Sequence, residues 1–468
     1  MKRQWRVGTL SMGLLLIALG VIMLVSQILE ISFIEHIIKW WPIILILIGL
    51  EILLYIFLSN QDAPKVKFDV FSIIIISILM MASVGVYAVT GIMTSGDGVI
   101  LVGPMFDSYK NESKYTRTFE LDAVSTNLII DNVVGNISIA KGDGDKIEVE
   151  ANITIKNNDE EYAAEIADSL ITVAKEKELK ISSNSKEYSN KGKIGSIQID
   201  YSVKVPDSVN VEVENKFGDV SLTDLAQSAK VNNKNGKITV ESLGGDLIVN
   251  SSFGEVKVQD IKGKTQVYSK NGDVIANNCN KDITIESSFG DIRIDGVKGI
   301  VAITNSNGQT QGNWINGDIN VISKFGDVTL TDVSGNADVD NANGEVSISN
   351  VGGYVKVSNG FGNTRVSNAN KGLVLNNTNG DITVEANKVI MQDVNIKSKF
   401  GDILLKLPAP QNGYFEANTK FGDIENDFGL EVNENMSTSS MKGTLTDDKI
   451  KFILNSENGD IKLEKIER

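Results

Sequence analysis

The sequence predicts a membrane protein in which three transmembrane helices are followed by an all-β ectodomain, a β-solenoid of about 18 residues per coil with capping elements at its ends. Two observations support this fold class. Three apolar runs open the chain, and a glycine recurs every nine residues through much of the remainder. The 468 residues include 42 glycines and only 6 prolines, and so much glycine disfavours a helical bundle because glycine weakens helices.

Three apolar runs, at residues 7–29, 40–58 and 70–92, each have about the 20 residues that a bilayer crossing requires. The first run ends without a small-residue cleavage pattern and is followed by two more, so we interpret it as a retained span and not as a signal peptide. Residues 1–94 are therefore predicted to form a three-span region, with a linker at residues 95–112.

The orientation of the spans follows from the basic residues beside them. Lys2, Arg3 and Arg6 precede the first span, and Lys65 and Lys67 separate the second span from the third. This bias predicts a cytoplasmic N-terminus in the plasma membrane. Three crossings then place the C-terminal domain on the extracytoplasmic side.

Glu51 is the one ionisable residue deep within a predicted span, where a charge is costly. Ser77 lies at a matching depth in the third span, so Glu51 and Ser77 are candidate intramembrane contacts. They serve either to pack the spans or to contact a partner. The stretch WWPIILILIGLEILL around Glu51 resembles the LiaI-LiaF-like transmembrane region of bacterial envelope-stress proteins, which implies a role in the cell envelope.

The glycine repeat predicts the ectodomain fold. From Gly236 to Gly380 the nine-residue register has 17 slots, of which 15 are glycine and two are Lys281 and Lys371. The second and fourth residues after each glycine are usually apolar, as in a strand with one buried face. Successive nonapeptides alternate in kind, so two of them make one coil. Coils of a β-solenoid stack about 4.8 Å apart, so about ten coils would form a rod roughly 45 Å long.

The residue before every second glycine of this register alternates between phenylalanine and asparagine. The resulting candidate aromatic row consists of Phe217, Phe253, Phe289, Phe325 and Phe361. Because one coil in two carries a ring, successive rings are about 9.6 Å apart. We expect the rings to cover one end of the apolar core; the alternative is an exposed binding stripe.

Two further residues stand out within the repeat. Trp314, in QGNWING, is a large departure from the pattern and is expected either to pack in a turn or to form a contact. Cys279 fills an aliphatic slot and is expected to be a buried, unreactive side chain. A single cysteine excludes an internal disulfide and a cysteine-based zinc site, and the single histidine, His36, argues against histidine chemistry.

The flanks of the repeat are predicted to cap it. Residues 113–215 contain strand pairs and one amphipathic helix at 159–174, residues 216–407 form the solenoid, and residues 408–468 continue and close it. The stretch YSVKVPDSVNVEVENKFGDVSL and the recurring FGDI and NGDI phrases resemble the bacterial β-strand-repeat "domain of unknown function" family that carries the label "putative adhesin". This resemblance covers residues 113–468 and implies the fold, without implying an activity.

The turn that follows each phenylalanine or asparagine is acidic in seven of ten coils between Asp219 and Asp381. Carboxylates one coil apart repel each other, and calcium would relieve that repulsion. The alternative is a row of solvated turn carboxylates. Because the calcium-roll pattern G-G-x-G-x-D is not matched at several slots, we predict no metal and no cofactor.

Charge and motif content limit the function. Residues 1–94 hold 6 of the 45 Lys+Arg and 5 of the 60 Asp+Glu, which leaves 39 basic and 55 acidic residues, a balance of −16, for the rest. Such acidity disfavours nucleic acid as a partner. The sequence shows no nucleophile elbow, phosphate loop or aperiodic pair of carboxylates, so no catalytic residue is predicted.

The sequence thus predicts a non-enzymatic envelope scaffold or a component of envelope-stress sensing that acts through protein–protein contacts. Its expected partners are the lipid bilayer, an integral-membrane or envelope protein, and a wall component. The alternative is an adhesin-like surface module that binds a glycan or a protein.

Overall fold

The computed structural model describes residues 109, 111–123, 126–175, 178–188, 193–369 and 371–466. The chain divides into two compact units, Met1–Asp107 and Ser108–Arg468, and the described residues belong to the second. The predicted spans at 7–29, 40–58 and 70–92 lie outside the described residues. Among the helices that are described, none is long and apolar enough to cross a membrane.

The second unit is built around a β-solenoid in which each of eleven regular coils gives one strand to each of two parallel sheets. The strands of the first sheet are β9 (Val220–Leu225), β11 (Ile238–Leu243), β13 (Val256–Ile261), β15 (Val274–Cys279), β17 (Ile292–Val297), β19 (Thr310–Ile315), β21 (Val328–Val333), β23 (Val346–Val351), β25 (Thr364–Ala369), β27 (Ile382–Glu385) and β29 (Ile403–Pro408). The strands of the second sheet are β8 (Asn210–Phe217), β10 (Ala229–Asn235), β12 (Leu247–Phe253), β14 (Thr265–Asn271), β16 (Ile283–Phe289), β18 (Val301–Asn305), β20 (Ile319–Ser323), β22 (Ala337–Asn343), β24 (Val355–Phe361), β26 (Leu373–Asn379) and β28 (Val394–Phe400).

The strand register repeats once for every two nonapeptides. Val256 pairs in parallel with Ile238 on one side and with Val274 on the other, and the other regular coils repeat this pattern. Each strand turns alternate side chains inward, where they are fully buried between the two sheets, as for Val258 and Val249. The predicted solenoid, with two nonapeptides in each coil, is therefore confirmed.

The glycines of the nine-residue register meet two different requirements. Gly254, in the turn from the second sheet to the first, has φ +128°, a conformation that side-chain-bearing residues rarely adopt. Gly263, in the opposite turn, lies so close to the coil below that an added Cβ would overlap the carbonyl oxygen of Gly245. Close stacking of the coils constrains both glycines, because an added Cβ at Gly254 would likewise overlap the Gly236 carbonyl oxygen. The left-handed backbone conformation is an additional requirement at Gly254.

At the N-terminal end the order of coils in space departs from their order in the chain. The elements there are β1 (Asn111–Asp122), β2 (Asn127–Val134), β3 (Ile137–Lys141), β4 (Lys146–Asn157), α1 (Glu160–Ala167), β5 (Ile171–Lys175), β6 (Leu179–Ser183), α2 (Ser185–Tyr188) and β7 (Ile194–Val205). β2 lies between β6 and β8, and β3 lies between β7 and β9. The antiparallel strands β1 and β4 extend the first sheet, and β5 pairs antiparallel with β6.

The amphipathic helix is shorter than predicted. It begins after Asp159, whose carboxylate accepts a hydrogen bond from the Tyr162 amide at 2.9 Å, and it ends at Ala167. The prediction was wrong for the last turns of 159–174, because Ile171–Lys175 instead forms β5. The β-branched residues of this segment favour a strand, and β6 offers an edge with which they pair.

The C-terminal end is also interleaved. The remaining strands are β30 (Gly413–Phe421), β31 (Ile424–Asn426), β32 (Val432–Asn435), β33 (Thr438–Leu445), β34 (Lys451–Asn458) and β35 (Ile461–Ile466). β34 is inserted between β28 and β30, and β35 between β29 and β31. The hairpin of β32 and β33 pairs with the free edge of β30, which removes an exposed strand edge.

Candidate functional site

The phenylalanine row lies on the outer surface, along the edge where each coil turns from the second sheet into the first. Phe217, at the N-terminal end of the row, is half-buried. Phe400 and Phe421, which also precede a glycine, follow the five candidate rings and continue the row towards the C-terminus. The exposed fractions are 55% for Phe253, Phe289 and Phe325, 57% for Phe361 and Phe421, and 46% for Phe400. The expectation that these rings cover one end of the core was wrong.

Smaller polar side chains close the core at this edge. The residue two before each phenylalanine or asparagine of the row points inward and is buried, as for Asn359. Its side-chain amide donates hydrogen bonds to the carbonyl oxygens of Gly344 at 3.2 Å and Gly362 at 3.0 Å. Because buried turn carbonyls need partners, an inward amide suits this position better than an aromatic ring.

Asparagines separate the rings along the edge. Phe253 pairs with Asn235 in one neighbouring strand and with Asn271 in the other. The asparagine side chain is tied to the backbone of the coil before it, because the amide of Asn271 donates to the carbonyl oxygen of Ser252 at 3.3 Å. Between successive rings the row therefore carries a smaller side chain that is held towards the backbone. We call these alternating rings and asparagines, from Phe217 to Phe421, the Phe–Asn row.

The alternation persists where the chain order is broken. Asn458, on the inserted strand β34, pairs with Phe400 on one side and with Phe421 on the other. Duplication of a two-coil unit could produce the alternation between Phe217 and Asn379, but it would not place an asparagine from the end of the chain between these two rings. The alternation is thus a property of the row in space.

The acidic turn residues flank the Phe–Asn row on the side of the first sheet and have a structural role. Asp273 Oδ1 accepts a hydrogen bond from the Asp291 amide at 2.9 Å, and Asp291 Oδ1 accepts one from the Gln309 amide at 2.9 Å. Asp327 does the same for Glu345 at 2.8 Å. Each carboxylate thus caps the turn of the next coil. Within the described part of the chain, no group of three or more His, Cys, Asp or Glu residues could hold a metal ion.

Trp314 occupies a bend of the first sheet at which the backbone has a left-handed φ in every regular coil from β9 to β25. The equivalent residues are Asp224, Ser242, Asp260, Asn278, Gly296, Asp332, Asn350 and Asn368. A left-handed φ suits Gly, Asn and Asp but is unfavourable for a bulky side chain. Trp314 nevertheless has φ +55° and is 62% exposed. Its exposure argues for a contact role over packing in the turn, and both roles of Trp314 stay predictions.

Cys279 lies at the end of β15 and is fully buried, as expected for an aliphatic slot. Burial raises the pKa of its thiol to about 11, so the nucleophilic thiolate is scarce at neutral pH. Glu51 and Ser77, the candidate intramembrane contacts, lie outside the described residues.

Two parts of the chain match protein-family models. Residues 301–464 match the Toastrack DUF4097 family, and residues 11–106 match the LiaF transmembrane domain. Both resemblances inferred from the sequence are thereby confirmed. In class, the protein combines a segment that matches the LiaF transmembrane domain with a β-solenoid whose C-terminal part matches the Toastrack family.

Several solved structures also show similarity. A "putative adhesin" from Bacteroides fragilis is 16% identical, with 53% of this chain and 97% of that one covered and a TM-score of 0.29. A "putative adhesin" from Parabacteroides merdae is 14% identical, with 62% and 95% covered and a TM-score of 0.21. A "putative cell adhesion protein" from Clostridium sporogenes is 11% identical, with 76% and 100% covered and a TM-score of 0.17. Nothing about this chain's function follows from TM-scores this low. No curated protein matches the sequence.

Proposed function

We propose that this protein is a membrane-anchored, extracytoplasmic scaffold that takes part in cell-envelope stress sensing through protein–protein contacts, and that it is not an enzyme. The observation that carries the proposal is the combination, in one chain, of a LiaF-type transmembrane domain at residues 11–106 and a β-solenoid. The transmembrane domain would hold the protein at the membrane. The solenoid would present a long, regular surface to a partner.

The topology that this role requires is three spans, at 7–29, 40–58 and 70–92, with the N-terminus in the cytoplasm. Reporter fusions test it. Alkaline phosphatase, which is active only outside the cytoplasm, is expected to be active when fused after residue 107 and inactive after residue 62, whereas a fluorescent reporter should give the opposite pattern. A phosphatase that is inactive after residue 107 would contradict an extracytoplasmic solenoid.

The non-enzymatic part of the proposal is supported by how the polar side chains are used. Asp273, Asp291 and Asp327 accept hydrogen bonds from backbone amides of neighbouring coils. The buried amides, such as that of Asn359, bind turn carbonyls. These groups stabilise the stacking of the coils, and the residues after position 36 include no histidine to act as a general base.

The partner contact is tested by crosslinking in cells. A photo-crosslinking amino acid replaces Glu51 or Ser77 in the full-length chain, and Leu16 in the first span serves as the matched control position. We expect capture of another integral-membrane protein from position 51 or 77 and not from position 16. Equal capture from all three positions would indicate collision in the membrane and would contradict a specific contact.

An adhesin-like module that binds a glycan or a protein is the second candidate function. It is favoured by the exposure of the Phe–Asn row, because a long exposed aromatic surface is typical of a contact site. Binding of intact cells to immobilised glycans or proteins, lost when Phe289 and Phe325 are replaced by serine, would support it. Capture of an integral-membrane partner only from the spans would favour the scaffold.

A further inference from the structure

The Phe–Asn row is complementary to a second copy of itself. We propose that two copies of this chain associate side by side and in parallel through their Phe–Asn rows, staggered by one coil, so that the rings of each copy enter the spaces above the asparagines of the other. The dimer deepens the proposed function, because a second copy of the chain would be one protein partner of the solenoid. It rests on the proposed function in one respect, namely that both copies are anchored in the same membrane.

The spacing of the rings supports interdigitation. Rings on alternate coils are about 9.6 Å apart, so a ring placed midway between two of them lies about 4.8 Å from each. That distance falls within the range of about 4.5–7 Å at which aromatic pairs interact favourably. A second copy has the same period by construction, so the match is kept along the whole row. Rings on every coil would instead have stacked on one another and left no space.

The alternation of Phe and Asn is maintained even where neighbouring strands of the row are distant in the chain. Asn458 reaches the row from the last coil of the chain and still separates Phe400 from Phe421. A row that served only to present apolar surface would not need an asparagine there. A row whose open spaces receive the rings of a partner would.

The charges beside the row determine the relative orientation of the two copies. Exposed lysines that precede the rings or asparagines, such as Lys270 and Lys324, lie on the side of the second sheet, and exposed carboxylates such as Asp273 and Asp327 lie on the side of the first. Rotating one copy by half a turn about the rod axis brings its lysine side opposite the carboxylate side of the other. The parallel pair therefore matches opposite charges, whereas the antiparallel pair would oppose like charges. Two copies held in one membrane also require the parallel orientation.

The area of the row is sufficient for a specific pair. Six rings that are about half exposed offer on the order of 600 Å² of apolar surface on each copy. The two copies together would bury about 1,200 Å² from the rings alone, which reaches the size of a specific interface. The part of each chain that the structure describes carries one such row, so association through it stops at two copies.

The test measures self-association of the full-length chain in detergent micelles by sedimentation velocity over a range of concentrations. We expect a dimer whose dissociation constant rises at least tenfold in the variant F289S/F325S. The sharper variant is N271F/N307F, which adds apolar surface but fills two of the spaces; interdigitation predicts that it also weakens the dimer at least tenfold. Non-specific hydrophobic association predicts the opposite sign.

The matched control is I300S/I322S. Ile300 and Ile322 are 56% and 45% exposed but lie outside the row, so their replacement is expected to leave the dissociation constant unchanged. Unaltered circular dichroism and melting of each variant show that the fold is intact. A monomeric wild-type chain, a stronger dimer for N271F/N307F, or equal losses for the control pair would each overturn the proposal.

The stagger is tested by disulfide formation. The native Cys279 is buried, so introduced thiols are the reactive ones. A mixture of N307C and F325C copies should form mixed disulfides, while N307C alone should form few, because one coil separates equivalent residues of the two copies. Efficient N307C homodimers would overturn the stagger. If the chain is a dimer but the reporter fusions place the solenoid in the cytoplasm, the proposed function is overturned and the dimer inference stands. If the fusions place the solenoid outside the cytoplasm but the chain is monomeric, the dimer inference is overturned and the proposed function stands.

Discussion

Replacement of Gly254 by alanine is expected to destabilise the coil in which it lies. Gly254 has φ +128°, and an added Cβ would overlap the carbonyl oxygen of Gly236 on the neighbouring coil. That carbonyl cannot move away easily, because the amide of Gly236 is hydrogen-bonded to the carbonyl of Phe253 at 2.9 Å, and the amide of Gly254 to that of Asn271 at 2.9 Å. Relief of the overlap therefore requires that stacked coils separate.

The magnitude follows from two contributions. A non-glycine residue held in a disfavoured backbone region costs about 1–3 kcal/mol. Loss of one inter-coil hydrogen bond adds about 0.5–1.5 kcal/mol. The sum is on the order of 3 kcal/mol, which corresponds to about a hundredfold change in an equilibrium constant.

Hydrogen exchange of the full-length chain is the appropriate assay, because solenoid coils interact only with their neighbours and can open locally. The protection of the Val256 and Val274 amides should fall about a hundredfold in G254A. The control is G144A: a Cβ at Gly144 would have its nearest neighbour, the Lys146 nitrogen, at 3.9 Å, and protection there should change little. Equal protection in G254A and the wild type would refute the reasoning.

Three further predictions concern single side chains. Because burial raises the pKa of the Cys279 thiol to about 11, alkylation of the folded protein should be negligible at pH 8 and should accelerate as the pH rises towards 11. The thiol contributes stability that is fully present below its ordinary pKa of 9.0 and is lost as the pH rises towards 11; rapid alkylation at pH 8 would contradict its burial. Replacing Asp291 by alanine leaves the Gln309 amide without its partner at 2.9 Å and should cost about 1 kcal/mol, while asparagine should retain most of that stability in a denaturant titration. Replacing Trp314 by asparagine, the residue found at Asn350 in the equivalent bend, should stabilise the chain by about 1 kcal/mol while reducing capture of any partner that contacts this bend; a loss of stability would instead support packing in the turn.

Much of the solenoid could be predicted because the residue pattern that specifies each coil is local and is repeated along the chain. A glycine every nine residues, followed by apolar residues at the second and fourth positions, indicates a turn and a half-buried strand, and the repetition of this unit leaves stacking as the way to bury every strand. Cys279 could be predicted as buried from its slot alone. The inward polar side chains such as Asn359 carry a signal as well, since Asn, Ser or Thr recurs two residues before each member of the Phe–Asn row. The polar character of these residues nevertheless does not indicate that they are buried.

The features that could not be predicted depend on contacts between segments distant in the chain. The helix at 159–174 stops early because Ile171–Lys175 finds an open edge on β6. The insertion of β34 between β28 and β30 has no local signature, because any strand of the right pattern could occupy that place. The orientation of the rings was mispredicted because hydrophobicity favoured the core, whereas the inward position at that edge is filled by small polar side chains such as Asn359, which binds turn carbonyls.

The sequence by itself determined the two-nonapeptide period of the coils, the parallel stacking of strands and the alternation of Phe and Asn, since each depends on residue types at fixed local spacings. Only the tertiary structure decided that the rings face solvent and that the two end coils are interleaved, so that Asn458 lies between Phe400 and Phe421. The physical reason is that exposure and strand neighbours are set by which surfaces meet in space, and strands as far apart in the chain as β28 and β34 meet only after it has folded.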